Sequence, residues 1–223
     1  AKVHAASWKK MFDNFLEKRA AETGEPFIPF DIGTDYKLYV DGKLRDEGVS
    51  SFLESRNIKL PFGEAGDPPD RETVIGLGNR KNELVKKIIE TEGVDISEGS
   101  IALVRLLRSK GIKIAVVSAS KNCEAVLQVT GITDLFDVMV DGNVAARLGL
   151  PGKPAPDTFL QAAKLLDTEP ARAVVVEDAI SGVQAGRAGN FGLVIGVDRH
   201  GEPDSLRNNG ADIVVDDLDK FLP

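Results

Sequence analysis

Three short stretches of this chain carry residue types suited to chemistry on an anion. The first is Val116-Val117-Ser118-Ala119-Ser120-Lys121-Asn122. A hydroxyl placed directly after an apolar strand, with unpaired backbone N–H groups behind it, offers donors to phosphate oxygens. Ser and Asn also cap helices for reasons of their own, so a plain N-cap is the competing reading. The second stretch is Gly149-Leu150-Pro151-Gly152-Lys153-Pro154-Ala155-Pro156-Asp157, where three prolines and two glycines stiffen the loop around one lysine. A lysine held in one direction suits a phosphate oxygen or a carboxylate cluster; otherwise it is a solvated turn residue. The third is Glu177-Asp178, closing the run Ala173-Val174-Val175-Val176. Adjacent carboxylates repel unless a lysine or a divalent cation neutralises them. Mg²⁺ takes one or two protein carboxylates and completes its shell with water and substrate phosphate. The alternative is a helix N-terminus decorated with acids.

The elements that position these residues follow from hydrophobic pattern. Val174–Val176 is apolar at every position, which predicts a strand buried on both faces. Acids at the carboxyl end of such a strand lie where open α/β sheets bind ligands. After Gly93 the pattern alternates strand and helix: a helix over Ile101–Leu107, a strand over Ile112–Val117, a helix over Glu124–Val129, a strand over Phe136–Val140 and a helix over Thr158–Leu166. Strands over Val174–Val176, Gly192–Val197 and Asp212–Val215 complete the series. This alternation predicts right-handed βαβ units and a mostly parallel sheet, with the loops after residues 117, 176 and 197 on one edge. Before residue 94 long strands are missing. Trp8, Met11, Phe12, Phe15 and Leu16 recur at helical spacing within Ser7–Ala21, the segment Gly24–Gly33 is broken by Pro and Gly, and helical pattern returns at Val49–Ser55 and Asn82–Glu90. The expected organisation is a small helical domain over 1–93 and an α/β core over 94–223.

Composition sets the outer bounds. The 223 residues are 42% hydrophobic and 28% charged, enough for a sizeable core under an ordinary polar surface. A net charge of -7 argues against a nucleic-acid surface. It also means that a phosphorylated substrate needs a cation or a local Lys/Arg cluster to reverse the field. The single Cys123 cannot form an internal disulfide, which points to a reducing compartment. No apolar run reaches membrane length and no signal peptide is visible. The expectation is a soluble, cytoplasmic, monomeric protein with a small-molecule partner, and with neither nucleic acid nor membrane among its partners.

Taken together the three stretches are more specific than any one. In combination with Val176-Glu177-Asp178-Ala179-Ile180-Ser181-Gly182-Val183-Gln184-Ala185, the chain resembles the haloacid dehalogenase-like superfamily, and within it the β-phosphoglucomutase-like branch. Val3-His4 with Trp8, and Gly76-Leu77-Gly78-Asn79-Arg80-Lys81-Asn82, look like that branch too. The resemblance implies an α/β class, a Rossmann-like parallel-sheet core with a small α-helical cap inserted between its first and second strands. It implies Mg²⁺-dependent phosphoryl transfer on a small phosphorylated sugar through an aspartyl-phosphate intermediate. Ser118 and the Ala119 amide would hold the transferring phosphoryl group, Lys153 would neutralise charge, and Asp178 would ligate Mg²⁺ with Glu177 in support. His4, Arg80, Lys81, Lys121 and Asn122 are lesser substrate candidates, with the loop Asn79–Lys81 expected to close over the site. A sugar-phosphate phosphatase is the alternative, and a third reading is a non-catalytic binder.

Two departures from the family pattern stand out. A first strand ending in Asp-x-Asp, the motif that carries the family's nucleophile, is not in this sequence and is expected to fall before Ala1. The lookalike Phe30-Asp31-Ile32-Gly33-Thr34-Asp35 is rejected, because its acids are wrongly spaced and Pro29 interrupts the short run before them. A parallel sheet without its central strand is expected to expose apolar faces and unpaired backbone groups. The second departure is Ser51, which stands in Gly48-Val49-Ser50-Ser51 where the mutase motif has an arginine for the distal phosphate; Arg80 or Lys81 is the expected replacement.

Overall fold

The computed structural model describes residues 2–94, 96–199 and 201–223. The chain forms two compact units, Ala1–Asp41 with Arg45–Val94 and Gly42–Leu44 with Asp95–Pro223. The segment Gly42–Leu44 therefore groups with the second unit, a detail that a single boundary near residue 94 does not anticipate.

The first unit is helical: α1 (Lys2–Thr23), a π-helical segment Ile32–Val40, α2 (Arg45–Ser55) and α3 (Val74–Glu92). Its core is aromatic. Phe12 is fully buried, with ring centroids 5.3 Å from Trp8, 5.1 Å from Phe30 and 4.1 Å from Phe52. Offset and tilted pairs of this kind add to plain area burial. Helix α3 starts well before the predicted Asn82, because Thr73 caps it by accepting from the Gly76 amide at 2.9 Å. Gly76 and Gly78, poor helix formers, hid that first turn from the pattern. Asp31 caps the π-helical segment through the Thr34 amide, and Asp35 pairs with Arg56 at 2.7 Å. These two acids are structural, in keeping with their rejection as a nucleophile motif.

The second unit alternates strand and helix: α4 (Glu98–Ser109), β1 (Ala115–Val117), α5 (Cys123–Val129), β2 (Val138–Val140), α6 (Gly142–Leu148), α7 (Asp157–Leu165), β3 (Val174–Glu177), α8 (Ile180–Ala188), β4 (Leu193–Val197), α9 (Pro203–Asn208) and β5 (Ile213–Val215). All strand pairing is parallel, as expected. Val117 lies opposite Val140, Glu177 opposite Gly196 and Val197 opposite Val215. The strands form two ladders, β1-β2 and β3-β4-β5. Phe159 of α7, Val183 and Ala185 of α8, Val175 and Val194 make one core, against which Val117 of β1 also packs. Thus β1 and β3 adjoin a common core without pairing with each other, and among the described residues each keeps one open edge.

That break corrects one expectation. Val175 is buried, but Val174 and Val176 are 54% and 44% exposed. Only one face of β3 is covered, by α7 and α8, and one of its edges has no neighbouring strand among the described residues. An apolar run records what a strand is built to bury, and here the second face has no cover. No helix among the described residues is long and apolar enough to cross a membrane.

Because Trp8 is the single tryptophan and sits in the aromatic core, its fluorescence reports the helical unit alone. Phe12→Ala should cost about 3–5 kcal/mol. Urea unfolding followed at Trp8 should show the loss, and a cost below about 1 kcal/mol would contradict the packing described.

Candidate phosphoryl-transfer site

Ser118 follows β1 directly, and its amide donates to Val140 O of β2 at 3.0 Å. Its Oγ accepts from the Ser120 amide at 3.1 Å. Helix α5 does not begin until Cys123, with Asn122 at its N-cap position. Ser118 is therefore not a helix cap, which removes the competing reading of that hydroxyl. The Ala119 N–H donates to no described residue. A hydroxyl and a backbone amide thus sit side by side at the end of a strand, a pair of donors for an oxyanion.

Neighbours unmarked in the sequence reading brace this loop. Asp141, buried at the head of α6, accepts from the Asn143 and Val144 amides at 3.0 and 2.9 Å. Asn143 Nδ2 donates to Lys121 O at 2.9 Å, and Gly142 N donates to Ser120 O at 3.2 Å. A Cβ at Gly142 would lie 2.7 Å from Ala119 O, so only glycine permits the contact. The signal available in the sequence is Asp141-Gly142-Asn143, a cap residue with glycine behind it, ahead of a helix too short to show a clear period.

Lys153 is 5% exposed, far from the surface lysine of its competing reading. Its ammonium forms an ion pair with Glu177 Oε1 and lies 4.7 Å from the Phe159 ring centroid. Phe159 belongs to the core that includes Val175 of β3 and against which Val117 of β1 packs, so both strands adjoin the cluster whose Phe159 ring lies beneath the lysine. Glu177 is fully occupied. Besides Lys153, its Oε2 accepts from the Asp178 and Ala179 amides, both at 3.0 Å. Its carboxylate folds back over the first turn of α8, where a Cβ at Gly182 would come within 2.1 Å of Glu177 Cδ. Gly182 is the seat that lets Glu177 reach Lys153.

Asp178 is differently placed. Its side chain is 44% exposed, and among the described residues its one ion-pair neighbour is Arg199 Nε at 3.9 Å. Desolvation in the crevice and the Glu177 charge hold its carboxyl above the usual carboxylate range, against the pull of Arg199 and Lys153. An added cation would relieve that. Among the described residues no group of three or more His, Cys, Asp or Glu side chains is gathered to enclose a metal. The donor set fits Mg²⁺ held by Asp178 with its remaining positions filled by water and substrate, the coordination this ion favours. Glu177, given its partners, would support from behind. Arg199 was not singled out in the sequence, since nothing local links it to Asp178.

The lesser candidates divide. Lys121 and Asn122 belong to the Ser118 loop, with Asn122 buried. His4 and Lys81 meet inside the helical unit, Lys81 Nζ lying 3.0 Å from His4 Nδ1 and 4.9 Å from the Trp8 ring centroid. Arg80 is committed elsewhere, with Nε donating to Pro69 O at 2.6 Å. Burial lowers the Lys81 ammonium to about 7, with Arg45 adding to the effect, and burial with the Lys81 charge lowers His4 to about 3.

The sign of the resulting pH dependence follows from linkage. The unfolded Lys81 holds its proton up to about 10.5, whereas the folded one releases it from about 7 upward. Folding is therefore penalised fully below pH 7, and the penalty fades as pH rises toward 10.5. Lys81→Met should raise the melting temperature of the helical unit at pH 6.5, by about 4–8 °C for each kcal/mol recovered. The advantage should shrink by pH 9.5. Melts at the two pH values with an unchanging difference would show that Lys81 carries no such penalty.

Comparison with known proteins agrees with this geometry. Residues 3–190 match the family model described as haloacid dehalogenase-like hydrolase. The chain is 48% identical over 225 residues to a beta-phosphoglucomutase of Mycobacterium bovis, covering 100% of this chain and 86% of that protein. It is 30% identical over 216 residues to the beta-phosphoglucomutase of Bacillus subtilis, covering 96% of this chain and 82% of that one. Its fold superposes on the crystal structure of beta-phosphoglucomutase from Clostridium difficile with a TM-score of 0.76 and 29% identity, over 99% of this chain and 86% of that one. The chain belongs to the haloacid dehalogenase-like family of enzymes, in its β-phosphoglucomutase-like branch.

Proposed function

We propose that this protein transfers a phosphoryl group on a small phosphorylated sugar, as a phosphoglucomutase. The observation that carries the reading is Lys153, buried, ion-paired to Glu177 and flanked by the open carboxylate of Asp178. Phosphoryl transfer demands positioning and charge neutralisation more than covalent chemistry from the protein. The Ser118 hydroxyl and the Ala119 amide bind non-bridging oxygens of the transferring group. Lys153 stabilises the charge on those oxygens, and Glu177 keeps that ammonium aimed. Asp178 would hold Mg²⁺, which would supply Lewis-acid neutralisation of phosphoryl charge. The covalent acceptor is an aspartate on a strand seated between the open edges of β1 and β3. Two features support that placement: both edges are unpaired beside a common core, and the carboxyl ends of β1 and β3 carry Ser118 and Glu177. A strand there gives the sheet its missing pairing and delivers a carboxylate to the anion site.

Hydrolysis is the second reading, favoured by the matching family's description as hydrolases and by Ser51, which brings no positive charge to the cap motif. The two differ in whether the acceptor is another phosphosugar or water. Incubating the full-length protein and Mg²⁺ with phosphoglucose isomers should give isomer formation without free phosphate; phosphate release without isomer formation would establish the hydrolase. Lys153→Ala should lower kcat by about 10²–10³-fold, the usual cost of one transition-state donor. Gly182→Ala, which displaces Glu177 and with it Lys153, should cost up to about 10²-fold although residue 182 touches no substrate. Unchanged turnover in both variants would remove Lys153 from the mechanism.

A further inference from the structure

Arg199 stands beside Asp178, and none of the roles given above falls to it. The strands place it there. Glu177 lies opposite Gly196 in the β3–β4 pairing, so Asp178 and Val197 leave the sheet at the same level and Arg199 follows shortly after. The turn that bears Arg199 is closed on both sides. The Asp198 amide donates to Val215 O of β5 at 2.7 Å, and Asp198 Oδ1 accepts from the Glu202 amide at 3.1 Å. Gly201 takes a φ of 74°, the left-handed conformation that brings the chain back toward Asp198. The arginine side chain is held far more lightly than its backbone. Its Nε is 3.9 Å from Asp178 Oδ2, close enough for charge to act and too far for a hydrogen bond. Among the described residues Arg199 has no other ion pair. The charges around Asp178 therefore close in two pairs among the described residues, Lys153 with Glu177 and Arg199 with Asp178. The first pair is buried, whereas the second is half-exposed and loose.

We propose that Arg199 is a resident counter-ion for Asp178, which a divalent cation must outcompete, and that it thereby sets the Mg²⁺ concentration at which the site fills. This role rests on the phosphoryl-transfer reading above, in which Asp178 holds Mg²⁺. A carboxylate next to Glu177 with no cation nearby is repelled by its neighbour. Arg199 relieves that repulsion in the metal-free protein. The same charge opposes a divalent ion approaching Asp178, so the site fills at a higher Mg²⁺ concentration than Asp178 alone would require. A loose partner suits this task better than a tight one. A guanidinium bonded in a fork to Asp178 would occupy both carboxylate oxygens and shut the ion out. At 3.9 Å no hydrogen bond has to break, and the half-exposed side chain has solvent to move into. The fixed turn keeps the displaced arginine close, so its repulsion persists once the ion is bound. Lys153 cannot serve the same end, since its ammonium is buried against Glu177 and the Phe159 ring. Arg199 acts through Asp178 and is a positioning residue, not a catalytic one.

The test is metal affinity in the full-length protein without substrate, measured with Mg²⁺ by calorimetry and with Mn²⁺ by electron paramagnetic resonance. Asp178→Asn should weaken binding at least about tenfold and so locate the ion. An exposed ion pair is worth up to a factor of about five, and a divalent ion feels a neighbouring charge twice over. Arg199→Gln should therefore bind both ions about three- to tenfold more tightly, while Arg199→Lys, which keeps the charge, should stay within about twofold of the wild-type protein. A merely structural arginine would give the opposite sign, because a disturbed turn loosens the site. With metal removed by a chelator, Arg199→Gln should lower the melting temperature by about 1–3 °C. That loss should vanish in an Asp178→Asn background, where no charge is left to balance. Affinity in Arg199→Gln that equals or falls below that of the wild-type protein would overturn the proposal, as would a melting loss of the same size in both backgrounds. Binding untouched by Asp178→Asn would instead overturn the placement of Mg²⁺ at Asp178, and the counter-ion role with it.

Discussion

The buried contact between Lys153 and Glu177 constrains the whole α/β unit. Two opposite charges removed from water are tolerated only when their remaining hydrogen-bonding capacity is met. Glu177 meets it with Lys153 on one oxygen and the Asp178 and Ala179 amides on the other. Lys153 meets part of it on the face of Phe159. Each partner is fixed by a different element: the lysine by a loop before α7, the glutamate by β3, the amides by the turn into α8, the ring by α7 itself. Truncating either charge leaves the other stranded, a loss usually near 3–5 kcal/mol. The interaction that readies the lysine for an anion is therefore the one that ties the loops around it together. On the proposed reading, a ligand phosphate would meet an ammonium already positioned, with little left to organise on binding.

The sequence made much of this legible. A serine after Val117, a lysine among prolines and an acid pair after three valines could be read locally, because strand ends and stiff loops leave their mark in neighbouring residues. The roles within the acid pair could not. Nothing local shows that Glu177 turns inward to Lys153 while Asp178 stays open; that asymmetry depends on Gly182 vacating a space one turn along α8. Asp141 and Asn143 escaped notice for a related reason. They act through Lys121 O and the Ser120–Gly142 backbone contact, and a helix as short as α6 has too little periodicity to register. Arg199 meets Asp178 only because β4 pairs in register with β3, with Gly196 opposite Glu177.

The helical unit shows the same limit in sharper form. Its aromatic stripe on α1 could be read from spacing, and the buried cluster of Trp8, Phe12 and Phe52 follows from it. Charge was harder. Arg80 and Lys81 are neighbours in sequence and looked interchangeable as anion ligands, yet successive helical residues point in different directions. One faces the 68–71 turn and bonds a carbonyl; the other enters the interior beside His4. Arg45 carried no mark at all, since its setting is created by Gly78 on another helix. Buried cations announce themselves through what surrounds them, and only the folded chain supplies that.

The divided sheet links stability to chemistry most directly. Parallel strands are ordinarily covered on both faces and paired on both edges, and β3 here is neither: Val174 and Val176 reach solvent and one edge stands open. The open edge of β1 adjoins the same core, through Val117. An inserted parallel strand would satisfy the unpaired backbone groups on both sides at once. Its carboxyl end would then emerge with those of β1 and β3, next to Ser118, Lys153 and Asp178. An aspartate at that point gains a lysine and a Mg²⁺ ligand as neighbours, which is what a carboxylate needs to approach a phosphoryl group without prohibitive repulsion. On the proposed reading, the position that the ladder most needs filled is also the one from which attack on phosphorus is electrostatically feasible, so closing the sheet and assembling the catalytic centre would be one event.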